Sequence, residues 1–257
     1  MKNPQNILIT GASGGIGQSL AQLYSKSNIN LFLCGRNEKK LQEVKALCEA
    51  LGAKVIIKSF DIKNELAAKE FIEEIEEKFA IDLVIANAGI SAGTALGTES
   101  FEQVKEVFLT NINGVLNIIH PAIEKMKLRK KGQIAIISSL AGFVGLPSSP
   151  TYSASKAAIR VYGEGLRGNL AEFGIEVSVI CPGYIKTPMT DVNNFWMPFL
   201  MSKEKCVKII RCGLENNKSR IAFPFPLYFV VWFAALLSKK ITDPIFRKLP
   251  KKSALNP

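Results

Sequence analysis

Histidine is almost missing from this sequence: His120 is the one example, beside five cysteines, Cys34, Cys48, Cys181, Cys206 and Cys212, with no C-x-x-C pair among them. Zinc-ligand spacing and an even-numbered disulfide framework are both lacking, so reduced structural cysteines and no metal are expected. No apolar h-region with a small-residue cleavage site follows Met1, Lys2 and Asn3, and the expectation is a cytoplasmic protein without an export signal. Linker-like runs, internal repeats and low-complexity tracts are also missing. The 257 residues are therefore read as one domain, 1–257, large enough to bury a sizeable core. Acidic residues are the scarcer sign, 22 against 33 basic, for a formal charge of +11. The excess gathers at Lys125–Lys131 and Lys239–Lys252 and is not interleaved with a recognition module, so no nucleic-acid partner is expected.

What is present is an alternation of short aliphatic runs with longer segments of helical period. Strands are predicted at Asn6–Thr10, Asn30–Gly35, Lys54–Ser59, Ile81–Ala86, Gln133–Ser138, Glu176–Cys181 and Arg220–Phe223. Helices are predicted at Gly15–Lys26, Leu41–Leu51, Glu65–Phe79, Phe101–Lys127, Tyr152–Phe173 and Lys203–Asn216. Strands apolar on successive residues need cover on both faces. The pattern predicts an α/β fold, a doubly wound parallel sheet of about seven strands with helices on both faces, whose ligands bind beyond the carboxyl ends of the strands.

The first strand ends in Thr10-Gly11-Ala12-Ser13-Gly14-Gly15-Ile16-Gly17, a glycine loop opening into a helix. Glycines allow a sharp turn and close approach of a pyrophosphate to the helix start. The spacing G-x-x-x-G-x-G carries no Walker lysine followed by Ser/Thr, which excludes a P-loop. A site for NAD(H) predicts a carboxylate after the second strand, on the adenosine ribose; here Gly35-Arg36-Asn37 stands instead. A guanidinium suits a 2′-phosphate, so NADP(H) is favoured over NAD(H); the other reading of Arg36 is a solvated side chain stacked on adenine.

Tyr152 and Lys156 fall four residues apart at the start of a helical segment, on one face. A tyrosine of ordinary pKa, near ~10, needs a cation nearby to act as a base at neutral pH, and Lys156 is placed to supply it. Ser138 and Ser139 close an apolar strand where this fold keeps its chemistry, and a hydroxyl there can donate to a substrate carbonyl.

With these motifs in order, the chain resembles the short-chain dehydrogenase/reductase family of the single-domain, Rossmann-type kind. The resemblance rests on Thr10 to Gly17, Asp61, Asn87-Ala88-Gly89, Asn111, Ser139, Tyr152 with Lys156, and Pro182-Gly183 with Thr187, spanning about residues 6 to 190. It implies a catalytic set of Asn111, Ser139, Tyr152 and Lys156. Ser139 would polarise the carbonyl, and Tyr152 would give it a proton as hydride arrives. Lys156 would lower the tyrosine pKa and hold the nicotinamide ribose, and Asn111 would hold a relay water, with Asn113 as rival. Cofactor contacts are implied for Gly11, Ser13, Gly15, Ile16, Gly17, Arg36, Asp61 at the adenine, Asn87, Ala88, Gly89, Tyr152, Lys156, Pro182, Gly183 and Thr187 at the carboxamide. His120 is read as structural, and the family's habit implies a homo-oligomer.

Residues 190–257 are read as a substrate lid followed by an apolar and basic extension. Met189, Phe195, Trp196, Met197, Phe199, Leu200 and Met201 suit a hydrophobic ketone, aldehyde or alcohol, or ordinary packing. Ile221–Ser238 is uncharged, but Pro224 and Pro226 break it and leave Leu227–Leu237 as a helix of about 16 Å, too short to span a bilayer. Its aromatics, followed by Lys239, Lys240, Arg247, Lys248, Lys251 and Lys252, suit either peripheral contact with the inner face of an anionic membrane or a lid or subunit interface. Two alternative functions stand beside the reductase: a 3-oxoacyl-carrier-protein reductase, with Lys125–Lys131 meeting an acidic carrier, and a non-catalytic dinucleotide-binding scaffold or sensor.

Overall fold

Ile7, Leu8 and Ile9 are wholly buried on successive residues, a condition met in the middle of a sheet covered on both faces. The computed structural model, which describes residues 1–94, 97–250 and 252, places them there. Among the described residues the strands are β1 (Asn6–Thr10), β2 (Asn30–Gly35), β3 (Lys54–Ser59), β4 (Leu83–Ala86), β5 (Gly132–Ile137), β6 (Ile175–Pro182) and β7 (Arg220–Phe223). All pair in parallel, in the order β3-β2-β1-β4-β5-β6-β7. This is the doubly wound, Rossmann-type sheet expected. Ile7 is in register with Leu31 on one side and Leu83 on the other, so the strand order reverses at β1 and a crevice opens between the loops that leave β1 and β4.

The helices are α1 (Gly15–Tyr24), α2 (Glu38–Ala50), α3 (Glu65–Glu76), α4 (Phe101–Phe108), α5 (Gly114–Arg129), α6 (Pro150–Leu170), α7 (Pro188–Asp191), α8 (Lys203–Glu215), α9 (Phe225–Leu236) and α10 (Lys239–Phe246). Leu20, Leu41 and Ile210, from α1, α2 and α8, fill the core on one face of the sheet. Phe71, Ile118 and Ile159, from α3, α5 and α6, fill it on the other.

Besides shifted element ends and the unpredicted short helices α7 and α10, three departures from the sequence reading stand out. The helix expected over Phe101–Lys127 is interrupted by a π-helical turn, Leu109–Asn113, between α4 and α5. Hydrophobic period alone does not register one extra residue in a turn, and such turns recur at functional sites. Pro226 does not break the apolar segment after β7. It sits in the first turn of α9, where its missing N–H costs nothing, so the helix runs Phe225–Leu236 rather than Leu227–Leu237. Met201 leaves the expected substrate wall for the core, 8% exposed and bridged to Ile185, whereas Trp196 is 82% exposed and Phe199 also faces solvent.

Candidate active site

The glycine loop is held by β4's exit. Thr10 Oγ1 accepts the N–H groups of Asn87 and Ala88 at 3.0 and 2.9 Å, and Asn87 Nδ2 donates to the carbonyls of Thr10 and Gly11 at 2.9 and 3.3 Å. Asn87 thus stitches the two loops that border the crevice. Gly11 turns at φ +63°, and a Cβ on Gly17 would stand 2.3 Å from the Gly11 carbonyl oxygen, so helix and loop can approach this closely only with glycine there. Four other helix starts are closed by side chains: Asn37 on α2, Asn64 on α3, Ser100 on α4 and Ser202 on α8. Gly14 caps α1 without a side chain, and the space above it is open, which leaves the first-turn N–H groups at the crevice for an anionic group.

Other expected cofactor residues ring this loop. Ser13 Oγ lies 3.2 Å from where a Cβ on Gly35 would be, tying the loop to the end of β2, and Arg36 is exposed just beyond. Asp61, after β3, accepts the Lys63 N–H at 3.0 Å and faces the Lys63 ammonium at 3.5 Å. Thr187, at the start of α7, comes within 3.5 Å of where a Cβ on Gly15 would be, so the loop after β6 closes over the glycine loop. Gly183 donates to Phe223 O at 2.8 Å.

Ser138 and Ser139, alike in sequence, part here. Ser138 is buried and donates to the Lys156 carbonyl at 2.7 Å, anchoring α6 to β5. Ser139 Oγ donates to Pro182 O at 3.4 Å, a long bond, and its hydroxyl stands close to the Tyr152 phenol. Burial pushes the Tyr152 phenol above its ordinary 10, and the neighbouring Ser139 hydroxyl draws it back. The implied lowering by Lys156 is not what the geometry displays. The Lys156 ammonium donates to Ile137 O at 2.9 Å and lies 5.8 Å from the centre of the Tyr152 ring, and burial pulls it down to about 8. A phenol so held keeps its proton at neutral pH, the form needed by an acid.

Asn111 sits in the π-helical turn, wholly buried. Its Oδ1 accepts Ile90 N–H at 2.8 Å, and its Nδ2 donates to Ile90 O at 2.9 Å and Ser155 Oγ at 3.0 Å. Asn113 is exposed, which separates it from its rival. A Cβ on Gly89 would come to 3.1 Å from Asn111 Oδ1 and 3.3 Å from Lys156 Nζ, so Asn111 and Lys156 share one small space beside Gly89.

Two residues in this site escaped the sequence reading. Tyr184, raised in pKa by burial, is close enough to Tyr152 to interact with it electrostatically, and its ring packs edge-on to Phe195 at 6.3 Å. An aromatic directly after Pro182-Gly183, at the carboxyl end of a strand, was an available signal. Lys252 had been grouped with the basic tail. It instead enters the site, donates to Ser91 Oγ and lies 4.9 Å from the centre of the Tyr152 ring, its ammonium pulled down to about 8 by burial. Nothing local marks such a contact, 161 residues apart in the chain. Lys251 lies outside the described residues. His120 pairs with Tyr162 across α5 and α6 at 2.8 Å, outside this constellation.

The family model of the short chain dehydrogenases matches residues 5–197, and the chain belongs to that family. It is an oxidoreductase by that membership. Among its relatives, an uncharacterised oxidoreductase of Myxococcus xanthus is 34% identical, over 94% of this chain and 96% of its own length. Ketoacyl reductase HetN of Nostoc is 30% identical over 72% of this chain and 66% of its own. A short-chain dehydrogenase of Sphingobium yanoikuyae, solved in complex with NADPH, shares the fold at a TM-score of 0.78, with 22% identity over 98% of each chain.

Proposed function

We propose that the chain is an NADP(H)-dependent reductase of hydrophobic carbonyl compounds, with Ser139, Tyr152 and Lys156 as its catalytic residues and Asn111 as a positioning residue. The observation that carries this reading is the convergence of Ser139 and Tyr152, close enough for the Ser139 hydroxyl to lower the phenol pKa, at the carboxyl edge of the sheet beside a glycine loop whose helix start is uncapped. The residues present fit a nicotinamide dinucleotide: the cradle at Gly11, Gly14 and Gly17 admits no side chain at its tightest point, and the uncapped N–H groups suit a pyrophosphate. That cofactor, when bound, supplies the hydride.

The chain's own groups do the rest. Two hydroxyls, from Ser139 and Tyr152, can bracket one carbonyl oxygen and stabilise the negative charge that grows on it. Tyr152 then passes its proton to that oxygen, while Lys156, held by Ile137 O, would hold the nicotinamide ribose. The Asn111 clamp on Ile90 fixes the wall opposite and keeps Lys156 in place beside Gly89.

The NADP(H) preference is supported by Arg36, exposed past β2 with no carboxylate beside it until Glu38, while Asn37 spends its side chain capping α2. The NADPH in the Sphingobium yanoikuyae structure agrees with it. The ketoacyl reductase relative favours an acyl-thioester carbonyl as a second reading. The basic run once offered for a carrier protein does not help it: Arg129 is paired with Glu76 at 2.7 Å and Lys131 lies 3.9 Å from Asp82, at the amino ends of the strands, away from Ser139.

Steady-state oxidation of NADPH and NADH against a panel of hydrophobic ketones and aldehydes, in native protein and Arg36→Ala, tests the proposal. The expected result is turnover with NADPH preferred, and a preference that drops about tenfold or more in the variant, the worth of a charge-assisted hydrogen bond. NADH preferred, or a preference that ignores Arg36, rejects the cofactor assignment; cofactor binding without turnover on any carbonyl rejects the reductase.

A further inference from the structure

Helix α9 is apolar all round, yet none of its residues is buried. One side is fixed in place: Leu227, Tyr228 and Val231 pack on Leu140, Val179 and Cys181, Tyr228 meets the Phe143 ring at 5.4 Å, and Arg220 donates to the Tyr228 hydroxyl at 3.2 Å. The opposite side presents Phe225, Phe229, Trp232 and Phe233 to solvent, with Phe229 stacked on Phe233 at 6.2 Å. In α10, Ile241 and Ile245 are exposed as well. A folded domain rarely leaves an apolar surface of this extent unused.

Charge decides what covers it. Lys239, Lys240, Arg247 and Lys248 are exposed around this surface, against one carboxylate in the two helices, Asp243. A second copy docking face to face would bring two such basic sets together, on chains already carrying +11 each. Anionic headgroups would neutralise them instead. At twelve residues α9 is about 18 Å long, short of the roughly 30 Å hydrocarbon core. Among the described residues no helix is long and apolar enough to cross a membrane. Rigid aromatics beside lysines and arginines suit the interface of one leaflet.

We infer that α9 and α10 form a docking surface for an anionic lipid bilayer, with Phe225, Phe229, Trp232 and Phe233 entering one leaflet and Lys239, Lys240, Arg247 and Lys248 at its headgroups. The surface adjoins the site. Pro224 and Leu227 lie 3.0 Å from where a Cβ on Gly183 would be, and α9 rests on the turn that follows Ser139. Resting on the reductase reading, this identifies the substrate class as carbonyl compounds that partition into lipid, reaching the site from the bilayer beside it.

Co-sedimentation of the full chain with phosphatidylcholine vesicles, with and without 30 mol% phosphatidylglycerol as on the order of a natural anionic fraction, tests the docking. The expected result is binding at least about tenfold stronger to the anionic vesicles, weakened by high salt. The Phe229→Glu/Phe233→Glu variant should lose that binding while retaining NADPH binding and its far-ultraviolet circular dichroism. Lys239→Glu/Lys240→Glu, wholly on the surface, serves as the second variant and should lose the anionic preference. No vesicle binding, or binding indifferent to both variants, overturns the inference. So does a homodimer that Phe229→Glu/Phe233→Glu splits in the absence of lipid, which would assign the surface to a second copy. None of these measurements requires turnover, so failure of the docking and failure of the reductase reading are separable.

Discussion

Phe32 in β2 and Phe229 in α9 are the same side chain with opposite fates. The first is 0% exposed, closed in beneath α3 with its ring 5.3 Å from that of Phe79; the second is 52% exposed and touches other exposed rings. Across β1, β2, β4, β5 and β6 every apolar residue is buried beneath the covering layers, and the free energy of burial is spent on the fold itself. After β7 the chain adds apolar residues when both faces of the sheet are already covered. What they bury is left to something outside the chain. An apolar run therefore carries information about the fold only where a second layer exists to receive it.

The sharpest test of this contrast lies at the sheet's carboxyl edge. Tyr152→Phe removes the proton donor with little change in shape and should lower kcat for carbonyl reduction by about 10²- to 10⁴-fold, with NADPH affinity unchanged in equilibrium titration. A loss smaller than tenfold would break the assignment of the acid. Next, Phe71→Ala in α3 empties a fully buried position and should cost about 3–5 kcal/mol in denaturant unfolding.

A comparable effect belongs to Lys156, and it depends on pH. Its ammonium falls from 10.5 unfolded to about 8 folded, so between those values the unfolded chain binds the extra proton. Stability of the native chain contributed by this group therefore rises with pH across that window, and the penalty of burying the charge is present in full below about 8. Relative to Lys156→Met, the native chain should gain about 3 kcal/mol between pH 8 and 10.5, measured as the difference between the two unfolding curves. A constant difference would mean that Lys156 is not desolvated. The smallest effect is expected in the tail: Phe229→Ser should change unfolding stability by no more than about 0.5 kcal/mol, since the ring is not part of the core. A cost like that of Phe71→Ala would erase the contrast between the two regions.

Legibility followed the same division. The strands at Asn6–Thr10, Asn30–Gly35, Lys54–Ser59 and Arg220–Phe223 match the sequence reading to the residue, because short β-branched and aliphatic runs bounded by turn residues mark strands. The motifs at Thr10 to Gly17, Asp61, Asn87 to Gly89, Ser139 and Pro182 to Thr187 could be read in order because each follows a strand, while Asn111 and the pair Tyr152 and Lys156 lie within helical elements. Residue type alone does not separate Ser138 from Ser139; only the family resemblance favours Ser139, and the structure adds the Lys156 carbonyl that claims Ser138. The π-helical turn that buries Asn111 and exposes Asn113 was equally hidden in a continuous helical pattern.

By itself, then, the sequence determined the doubly wound sheet, the glycine loop at its first turn and the placing of Tyr152 and Lys156 on one helical face, because local hydrophobic period, helical spacing and glycine placement are properties of neighbouring residues. Only the tertiary structure decided how those groups bear on one another: burial, offset by the neighbouring Ser139 hydroxyl, raises the Tyr152 phenol, Lys156 is tied to Ile137, and Lys252 returns to the Tyr152 ring. It also decided that α9 keeps its aromatics outside. These are consequences of three-dimensional crowding among distant segments, and the order of residues along the chain does not encode them pair by pair.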